Sequence, residues 1–188
     1  MKKSLFVLLS ALFISSGLFS QTIYKVDPYH TSINFKVKHL GISFVNGKFE
    51  KFDGTITGSD FKTAKVDFTV DVNSINTSVT PRDNHLRSAD FFEVEKFPHM
   101  TFSSTSFKKS GKKYKLTGNL TIKDVTRQVT FDVKMGGKNK AKDGAEIHGF
   151  SAKTTINRFD YNVAYDPDLT SVGKDVTINL YLEFKEQK

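Results

Sequence analysis

The residues best suited to chemistry lie together in one charged segment, residues 80–102, with the sequence TPRDNHLRSADFFEVEKFPHMTF. Thr80 is a candidate N-cap and Pro81 suits the first helical position, so a short helix is predicted. Asp83 and His85 in this helix could form an acid–base pair. We prefer a simpler interpretation, in which Asp83 faces the free N–H groups of the first turn and His85 packs, because the first-turn position already explains Asp83.

The same segment offers positive groups for an anion. Arg82 and Arg87 belong to the predicted helix, whose first N–H groups have no intrahelical partner. Guanidinium groups and helix N-termini both suit phosphate-like anions. A charged helix that interrupts a β-rich chain is either a plug for the end of a barrel or a functional lid.

Other patterns for catalysis or metal binding are missing from the sequence. The chain contains no cysteine, which excludes disulfides, thiol catalysis and thiolate metal sites. The five histidines show no i, i+4 or H-x-H spacing, so no metal site is expected. Neither a G-x-S-x-G motif nor a Walker-type glycine loop occurs. The sequence therefore offers no motif that supports catalytic residues or a cofactor.

Residues 1–20 are typical of a signal peptide. Lys2 and Lys3 form a positive region, and the uncharged run that follows is shorter than the ~20 residues of a spanning helix. We expect cleavage after Ser20, which leaves 21–188 as one periplasmic or secreted domain; an uncleaved N-terminal anchor is the alternative. Loss of the two lysines lowers the formal net charge from +8 to +6. This moderate excess is weak evidence for nucleic acid in an exported protein, and no nucleic-acid partner is expected.

The rest of the chain alternates apolar and polar side chains with the period of a β-strand. The clearest run places Val66, Phe68 and Val70 on one face. About eight such runs predict an all-β domain, an eight-stranded antiparallel up-and-down barrel with one short helix inserted mid-chain. A sandwich fits the same pattern, but runs of about nine residues, or ~30 Å, favour the barrel. Fifteen of the eighteen phenylalanines lie after the predicted signal peptide, and they must line a packed core or an apolar cavity.

Three glycine-containing stretches are predicted to interrupt the strands. Asn46-Gly47 predicts a two-residue hairpin turn, because both residue types tolerate positive φ. Asp53-Gly54 predicts a bulge or a bend in the next strand. The basic, glycine-rich stretch 136–144 is predicted to be a mobile loop.

The remaining signal is a series of short blocks in a fixed order. The blocks are Val26-Asp27-Pro28 with His30, Phe35-Lys36-Val37-Lys38-His39-Leu40, Asn46-Gly47-Lys48-Phe49, Arg82-Asp83 with His85-Leu86-Arg87-Ser88, Asp90-Phe91-Phe92, Phe97-Pro98 with Thr101-Phe102, Gly118-Asn119-Leu120-Thr121-Ile122 with Val125-Thr126, and Arg158-Phe159-Asp160. Together they resemble the YceI-like family, lipocalin-like polyisoprenoid-binding barrels of bacteria. Tyr24 replaces the family's usual tryptophan, and the chain after Arg158 departs from the family pattern.

The resemblance implies a binder rather than an enzyme. An isoprenoid chain would lie in an apolar tunnel, with its polar head, a pyrophosphate or a quinone ring, near the mouth. The implied tunnel residues are Phe35, Val37, Phe49, Phe68, Leu86, Phe91, Phe92, Phe102, Leu120, Ile122 and Phe131. The implied head region contains His39, Arg82, His85, Arg87 and Arg158. An ordinary packed core remains an equal alternative for the phenylalanines, because side-chain parity does not distinguish a core from a tunnel wall.

Two other functions stay open at this stage. The first is an enzyme that acts on a prenyl lipid, with Asp83 and His85 as acid and base. The second is a filled barrel that serves as a protein-interaction module through the helix or the 136–144 loop. The sequence leaves open which lipid is bound, and whether it is carried, stored or sensed. It is compatible with transient membrane contact and with either a monomer or a homodimer.

Overall fold

The structure, a computed structural model, describes residues 21–58 and 63–188. The predicted signal peptide lies outside these ranges. They contain eleven strands and one α-helix, α1, Thr80–Arg87. The strands are β1 (Ile23–Val26), β2 (Ser32–His39), β3 (Ser43–Phe49), β4 (Phe52–Thr57), β5 (Lys65–Asp71), β6 (Ile75–Asn76), β7 (His99–Ser110), β8 (Lys113–Ile122), β9 (Val125–Lys140), β10 (Glu146–Asn157) and β11 (Val172–Gln187).

Eight of these strands form a closed barrel. Their order around the ring is β1-β4-β5-β7-β8-β9-β10-β11, and β11 closes the ring by pairing with β1, where Ile23 lies opposite Gln187. The neighbours in the ring pair in antiparallel fashion. The prediction of an eight-stranded antiparallel barrel with one short helix is confirmed.

The three remaining strands, β2, β3 and β6, continue barrel strands beyond an interruption. β2 pairs with the first part of β11, while β1 pairs with its last residues. β3 pairs with β2 as β4 pairs with β1, and β6 pairs with β3 as β5 pairs with β4. When each broken pair is counted as one strand, the order around the barrel follows the order along the chain, which is the up-and-down arrangement.

The interior is more tightly packed at one end than at the other. Next to β1, a cluster that includes Val26, Ile56 and Phe184 is buried, and Phe184 is only 1% exposed. Towards α1, a larger cluster that includes Ile75, Phe91 and Leu120 surrounds a cavity. The two interpretations of the phenylalanine-rich strands, packed core and cavity wall, therefore apply to different parts of the same barrel.

The predicted strand interruptions at Asn46-Gly47 and Asp53-Gly54 are wrong. Of the stretch 136–144, only residues 141–144 lie outside a strand. Asn46-Gly47 lies inside β3, Asp53-Gly54 inside β4, and the first part of 136–144 inside β9. The turn between β2 and β3 lies instead around Gly41, whose φ is +72°. Pairing with a neighbouring strand outweighs the local preference of glycine for turns, since each ladder satisfies backbone groups that a loop would expose.

The charged segment is helical only over its first two turns. Val79, not the predicted Thr80, occupies the N-cap position, and its side chain makes no capping hydrogen bond. After Ser88 the chain continues in turns, in which the N–H of Phe92 donates to the carbonyl of Leu86. No helix of the described ranges is long and apolar enough to cross a bilayer.

Candidate functional site

A cavity lies inside the barrel, bounded on one side by Leu86 of α1. The centre of a water-sized sphere can occupy a volume of about 200 Å³ inside it. By the same measure, a cavity that holds one water molecule needs only ~10–15 Å³. A second, smaller cavity of about 50 Å³ lies towards the packed end and shares wall residues with the first. The shared wall residues are Val66, Leu116, Ala152 and Leu182.

Twelve of the sixteen residues predicted for the binding site line the larger cavity. These are Phe35, Val37, Phe49, Phe68, Leu86, Phe91, Phe92, Phe102, Leu120, Ile122, Phe131 and Arg158. The other four, His39, Arg82, His85 and Arg87, do not line it. Sequence reasoning missed a continuous inward series on β11, Val176, Ile178, Leu180 and Leu182, which also lines the cavity. Its strict alternation was the signal that could have identified it.

Three of the wall phenylalanines lie against glycines of an adjacent strand. The pairs are Phe35 with Gly47, Phe68 with Gly54 and Phe102 with Gly118. A Cβ atom placed on any of these glycines would lie 2.2–2.5 Å from a ring atom, well inside the 3.4 Å at which ordinary contact begins. Glycine therefore lets each ring lie against the backbone of the wall, where a larger residue would push it into the cavity.

Arg158 is the one charged residue in the cavity wall of the described chain, and it is 4% exposed. Its five N–H groups donate to backbone carbonyls of the loop between β10 and β11 and of the start of β11. These belong to Val163, Tyr165, Asp166, Val172 and Gly173. Burial lowers the pKa of Arg158, against the opposing effect of the Asp166 carboxylate. Because its donors are occupied, Arg158 can act on a ligand through its charge rather than through a direct hydrogen bond.

Asp166 holds the same loop from its other side. One carboxylate oxygen accepts from the N–H and hydroxyl of Thr170, and the other accepts from the N–H and hydroxyl of Ser171 and from the N–H of Val172. Hydrogen bonds from these three residues, with the Thr170 hydroxyl first, hold the pKa of Asp166 well below its usual range. Together with Arg158, this carboxylate gives the 163–173 loop a defined conformation beside the cavity.

Asp83 forms a buried polar cluster with Thr77. Its Oδ1 accepts from the N–H of Thr77 at 2.8 Å and from the hydroxyl of Thr77 at 2.5 Å. Arg82 donates to the hydroxyl oxygen and the carbonyl of the same threonine. These contacts fasten the start of α1 to the chain that precedes it, so Asp83 has a structural role. The capping interpretation was wrong in its partner, because the carboxylate binds Thr77, which precedes the helix, and the free N–H groups of the first turn are not its partners.

Arg87 fastens the other end of α1. Its Nε donates to the carbonyl of Asn73 at 2.9 Å, and its Nη2 donates to the carbonyl of Ile75 at 2.8 Å. Both predicted helix arginines, Arg82 and Arg87, therefore bind neighbouring backbone. Neither arginine lines the cavity.

His85 borders the cavity without entering it. Its Nε2 lies 2.8 Å from Oδ2 of Asp90, and its ring packs edge-on against Phe91 and Tyr165 at centroid distances of 5.0 and 4.9 Å. Asp83 and His85 thus have different partners, and the acid–base pair considered from the sequence is not assembled. His85 instead supports Phe91, which is a wall residue.

His39 and Tyr161 complete the surroundings of this end of the cavity. His39 follows Val37 on the inward-facing side of β2 and pairs with Val172 of β11. Tyr161 lines the cavity and is 2% exposed. Burial raises the pKa of Tyr161 to about 12, so its phenol stays protonated at neutral pH.

One group of described residues has the spacing of a metal site. Nδ1 of His30 and carboxylate oxygens of Asp27 and Glu183 lie within 4.8 Å of one another. Nδ1 of His30 is 2.9 Å from Oδ2 of Asp27, and this hydrogen bond raises the pKa of His30. An ion pair on the surface accounts for the arrangement, so we infer no metal site from it.

Known proteins share both the sequence and the fold. Residues 24–184 match the family model of the YceI-like domain. Protein YceI of Salmonella arizonae is 40% identical over 194 residues, an alignment that covers 100% of both chains.

Solved structures give the same result. The YCEI protein of Campylobacter jejuni is 37% identical, with a TM-score of 0.69 over 81% of this chain and 91% of that chain. BcnA of Burkholderia cenocepacia is 25% identical, with a TM-score of 0.75 over 84% and 98%. A polyisoprenoid binding domain from Saccharophagus degradans is 14% identical and shares the fold, with a TM-score of 0.64 over 87% and 98%. The chain belongs to the YceI-like family.

Proposed function

We propose that this protein is a periplasmic or secreted carrier or buffer that binds an isoprenoid lipid inside its barrel, and that it is not an enzyme. The observation that carries the proposal is the interior cavity, whose wall is apolar apart from a few groups such as Arg158. A long hydrocarbon chain in such a cavity gains ~25 cal/mol for each Å² of apolar surface removed from water. The domain of the same fold from Saccharophagus degradans is a polyisoprenoid binding domain, which supports this ligand class.

The polar head of the ligand belongs, in this proposal, at the end of the cavity beside Arg158 and His39. A buried guanidinium attracts an anion more strongly than an exposed one, because the surrounding medium screens its charge less. This favours a pyrophosphate, while a quinone ring would rely on polar contacts at the same end. Arg82 and Arg87 are less suited to the head group than the sequence suggested, since their donors bind backbone carbonyls.

Two alternatives have less support. The cavity argues against a filled barrel that acts only as an interaction module. The separate partners of Asp83 and His85 argue against an enzyme built on that pair.

The test is native mass spectrometry of the protein purified from a bacterial host, followed by organic extraction and lipid identification. We expect a stoichiometric isoprenoid, and its head group will distinguish pyrophosphate from quinone. Phe131→Lys, like Phe102→Lys, places a charge in the wall and should abolish lipid binding. Gln128→Lys is the matched control, because Gln128 lies on the same strand but is exposed. A folded Phe131→Lys variant that still carries the lipid, or a wild-type protein without any lipid, would refute the proposal.

A further inference from the structure

The turn between β2 and β3 exposes three large apolar side chains. Ile42 is 86% exposed, and Leu40 and Phe44 are each 55% exposed. The backbone of this tip is ordered by a hydrogen bond from the N–H of Ile42 to the carbonyl of His39. Single exposed apolar residues are common on protein surfaces, whereas three within five residues form a patch that suggests an interaction site.

The loop after Tyr161 adds two more apolar side chains to the same end of the molecule. Leu169 is 41% exposed and Tyr165 is 39% exposed. The N–H of Leu40 donates to the carbonyl of Ser171 at 2.9 Å, which joins the hairpin tip to this loop. We call Leu40, Ile42, Phe44, Tyr165 and Leu169 together the apolar rim.

The apolar rim adjoins the cavity. Val37 and Val172 line the cavity, and they lie three residues along the chain from Leu40 and Leu169, respectively. The ring of Tyr165 packs on that of Phe91, another wall residue, at a centroid distance of 4.7 Å. A hydrocarbon chain that enters or leaves the cavity at this end of the barrel would therefore pass the apolar rim.

The hairpin that carries the rim is basic. Residues 35–49 contain three lysines and one histidine, and they contain no acidic residue. Lys36 and Lys38 alternate with the inward-facing residues of β2, so they point outward, and Nζ of Lys36 lies 4.9 Å from the centre of the Phe44 ring. Lys174 is also exposed. It lies beside these lysines, since the residue before it, Gly173, lies against Lys38.

The acidic groups near the rim lie outside the hairpin, on the loop that carries Tyr165 and Leu169 and on the segments that follow β3 and that loop. Asp166 is engaged by the loop, and Glu50 pairs with Lys48 at 2.8 Å. Asp168 and Asp175 are exposed. The positive charge is thus concentrated on the outer face of the hairpin, directly behind its apolar tip, an arrangement that suits an anionic, apolar surface.

We infer that the apolar rim and the hairpin lysines form a docking surface for a bilayer that contains anionic lipids. The side chains of the rim insert among the acyl chains, while Lys36 and Lys38 contact the headgroups. This inference rests on the proposed function, because docking brings the end of the lipid cavity to the source or destination of its ligand.

The test is flotation of the purified protein with two kinds of vesicle, phosphatidylcholine alone and phosphatidylcholine mixed with phosphatidylglycerol. We expect binding to the mixed vesicles that weakens with added salt. Ile42→Ser should lower the partition coefficient roughly tenfold, since it removes most of an isoleucine side chain that docking would bury in the bilayer. Lys38→Gln should lower it about fivefold, by loss of one charge near the headgroups. Both residues are exposed, so the melting temperature should not change.

Ile23→Ser is the matched control. Ile23 is 44% exposed and pairs with Gln187, at the end of β11 far from the rim, so this change should leave flotation unaltered. The inference is overturned if the wild type ignores both kinds of vesicle, binds them equally, or loses no binding in Ile42→Ser. A homodimer that Ile42→Ser dissociates, with no vesicle binding, would also overturn it.

Native mass spectrometry of the same samples separates this inference from the proposed function. A protein that carries an isoprenoid but does not bind vesicles would refute the docking surface alone. A protein that binds anionic vesicles through Ile42 but carries no isoprenoid would refute the proposed function and leave the membrane surface in place.

Discussion

Replacement of Gly54 by alanine is expected to destabilise the barrel and to narrow its cavity at the same time. The new Cβ atom would lie 2.2 Å from Cδ2 and 2.3 Å from Cε2 of Phe68. Since ordinary contact begins at 3.4 Å, the ring must retreat by about 1.2 Å, the difference between 3.4 and 2.2 Å. The ring already contacts Phe52 and Phe184, at centroid distances of 5.9 and 6.4 Å. The space left to it is the cavity.

Two opposing contributions set the size of the effect. Overpacking of this kind costs ~1–3 kcal/mol. The alanine returns ~0.5–1 kcal/mol by restricting the unfolded chain, because Gly54 does not have a positive φ that alanine would avoid. We expect a net loss of ~1–2 kcal/mol in the free energy of unfolding, which corresponds to a decrease of ~2–8 °C in Tm for a domain of this size.

The assay measures Tm by calorimetry and isoprenoid occupancy by native mass spectrometry on the same preparation. Gly149→Ala is the matched control, since a Cβ atom on this strand glycine meets nothing within 4 Å. It should leave the isoprenoid occupancy unaltered and raise Tm slightly, because alanine restricts the unfolded chain here as well. In a Phe68→Leu background the ring is gone, so Gly54→Ala should then cost little. An undiminished cost in that background, or an unaltered Tm and occupancy in the single variant, would refute the reasoning.

Two further predictions concern the polar contacts around the cavity. Asp83→Ala should lower the free energy of unfolding by roughly 3 kcal/mol, because the buried N–H and hydroxyl of Thr77 lose a charged acceptor. Urea denaturation measures this loss, which should be smaller for Asp83→Asn. Wild-type stability in Asp83→Ala would contradict the prediction. Asp166→Asn should lower Tm at neutral pH. Because the folded pKa of Asp166 is lowered, its carboxylate stabilises the fold above the unfolded pKa of ~3.9, and this stabilisation is lost as the pH falls towards the folded pKa. The difference in Tm should therefore shrink below a pH of about 4, and a constant difference would count against this role.

The strands were predictable because their signal is local. The alternation of Val66, Phe68 and Val70 determines which side chains share a face without reference to the rest of the chain. The same parity placed Phe102 and Phe131 on the inner side of the wall, where both line the cavity.

The roles of the strand glycines could not be predicted in the same way. Gly47 and Gly54 were interpreted as turn and bend residues from their neighbours in sequence. Their role is instead to make room for a ring on the adjacent strand, and that contact exists only after the strands have paired. Parity also could not tell a cavity from a filled core, because both require the same inward-facing apolar residues.

The charged residues were the hardest to assign. Arg82 and Arg87 were predicted to face a ligand because they are cationic and close to a helix terminus. In the structure they bind carbonyls at Thr77, Asn73 and Ile75, which lie on or within two residues of β6, the strand at the edge of the sheet. These carbonyls need hydrogen-bond donors because of how the strands are arranged, and a single sequence does not reveal that arrangement.

The closure of the barrel between β1 and β11 has a consequence for how the chain folds. Ile23 must find Gln187 across almost the whole domain, so the last ring contact is the one with the greatest separation along the chain. Loop-closure entropy opposes such a contact until the intervening hairpins have formed. The barrel should therefore acquire its seam late and fold over milliseconds to seconds. Until then the apolar inner faces of its hairpins remain exposed to water and to other chains, which makes the half-closed sheet the species most prone to aggregation.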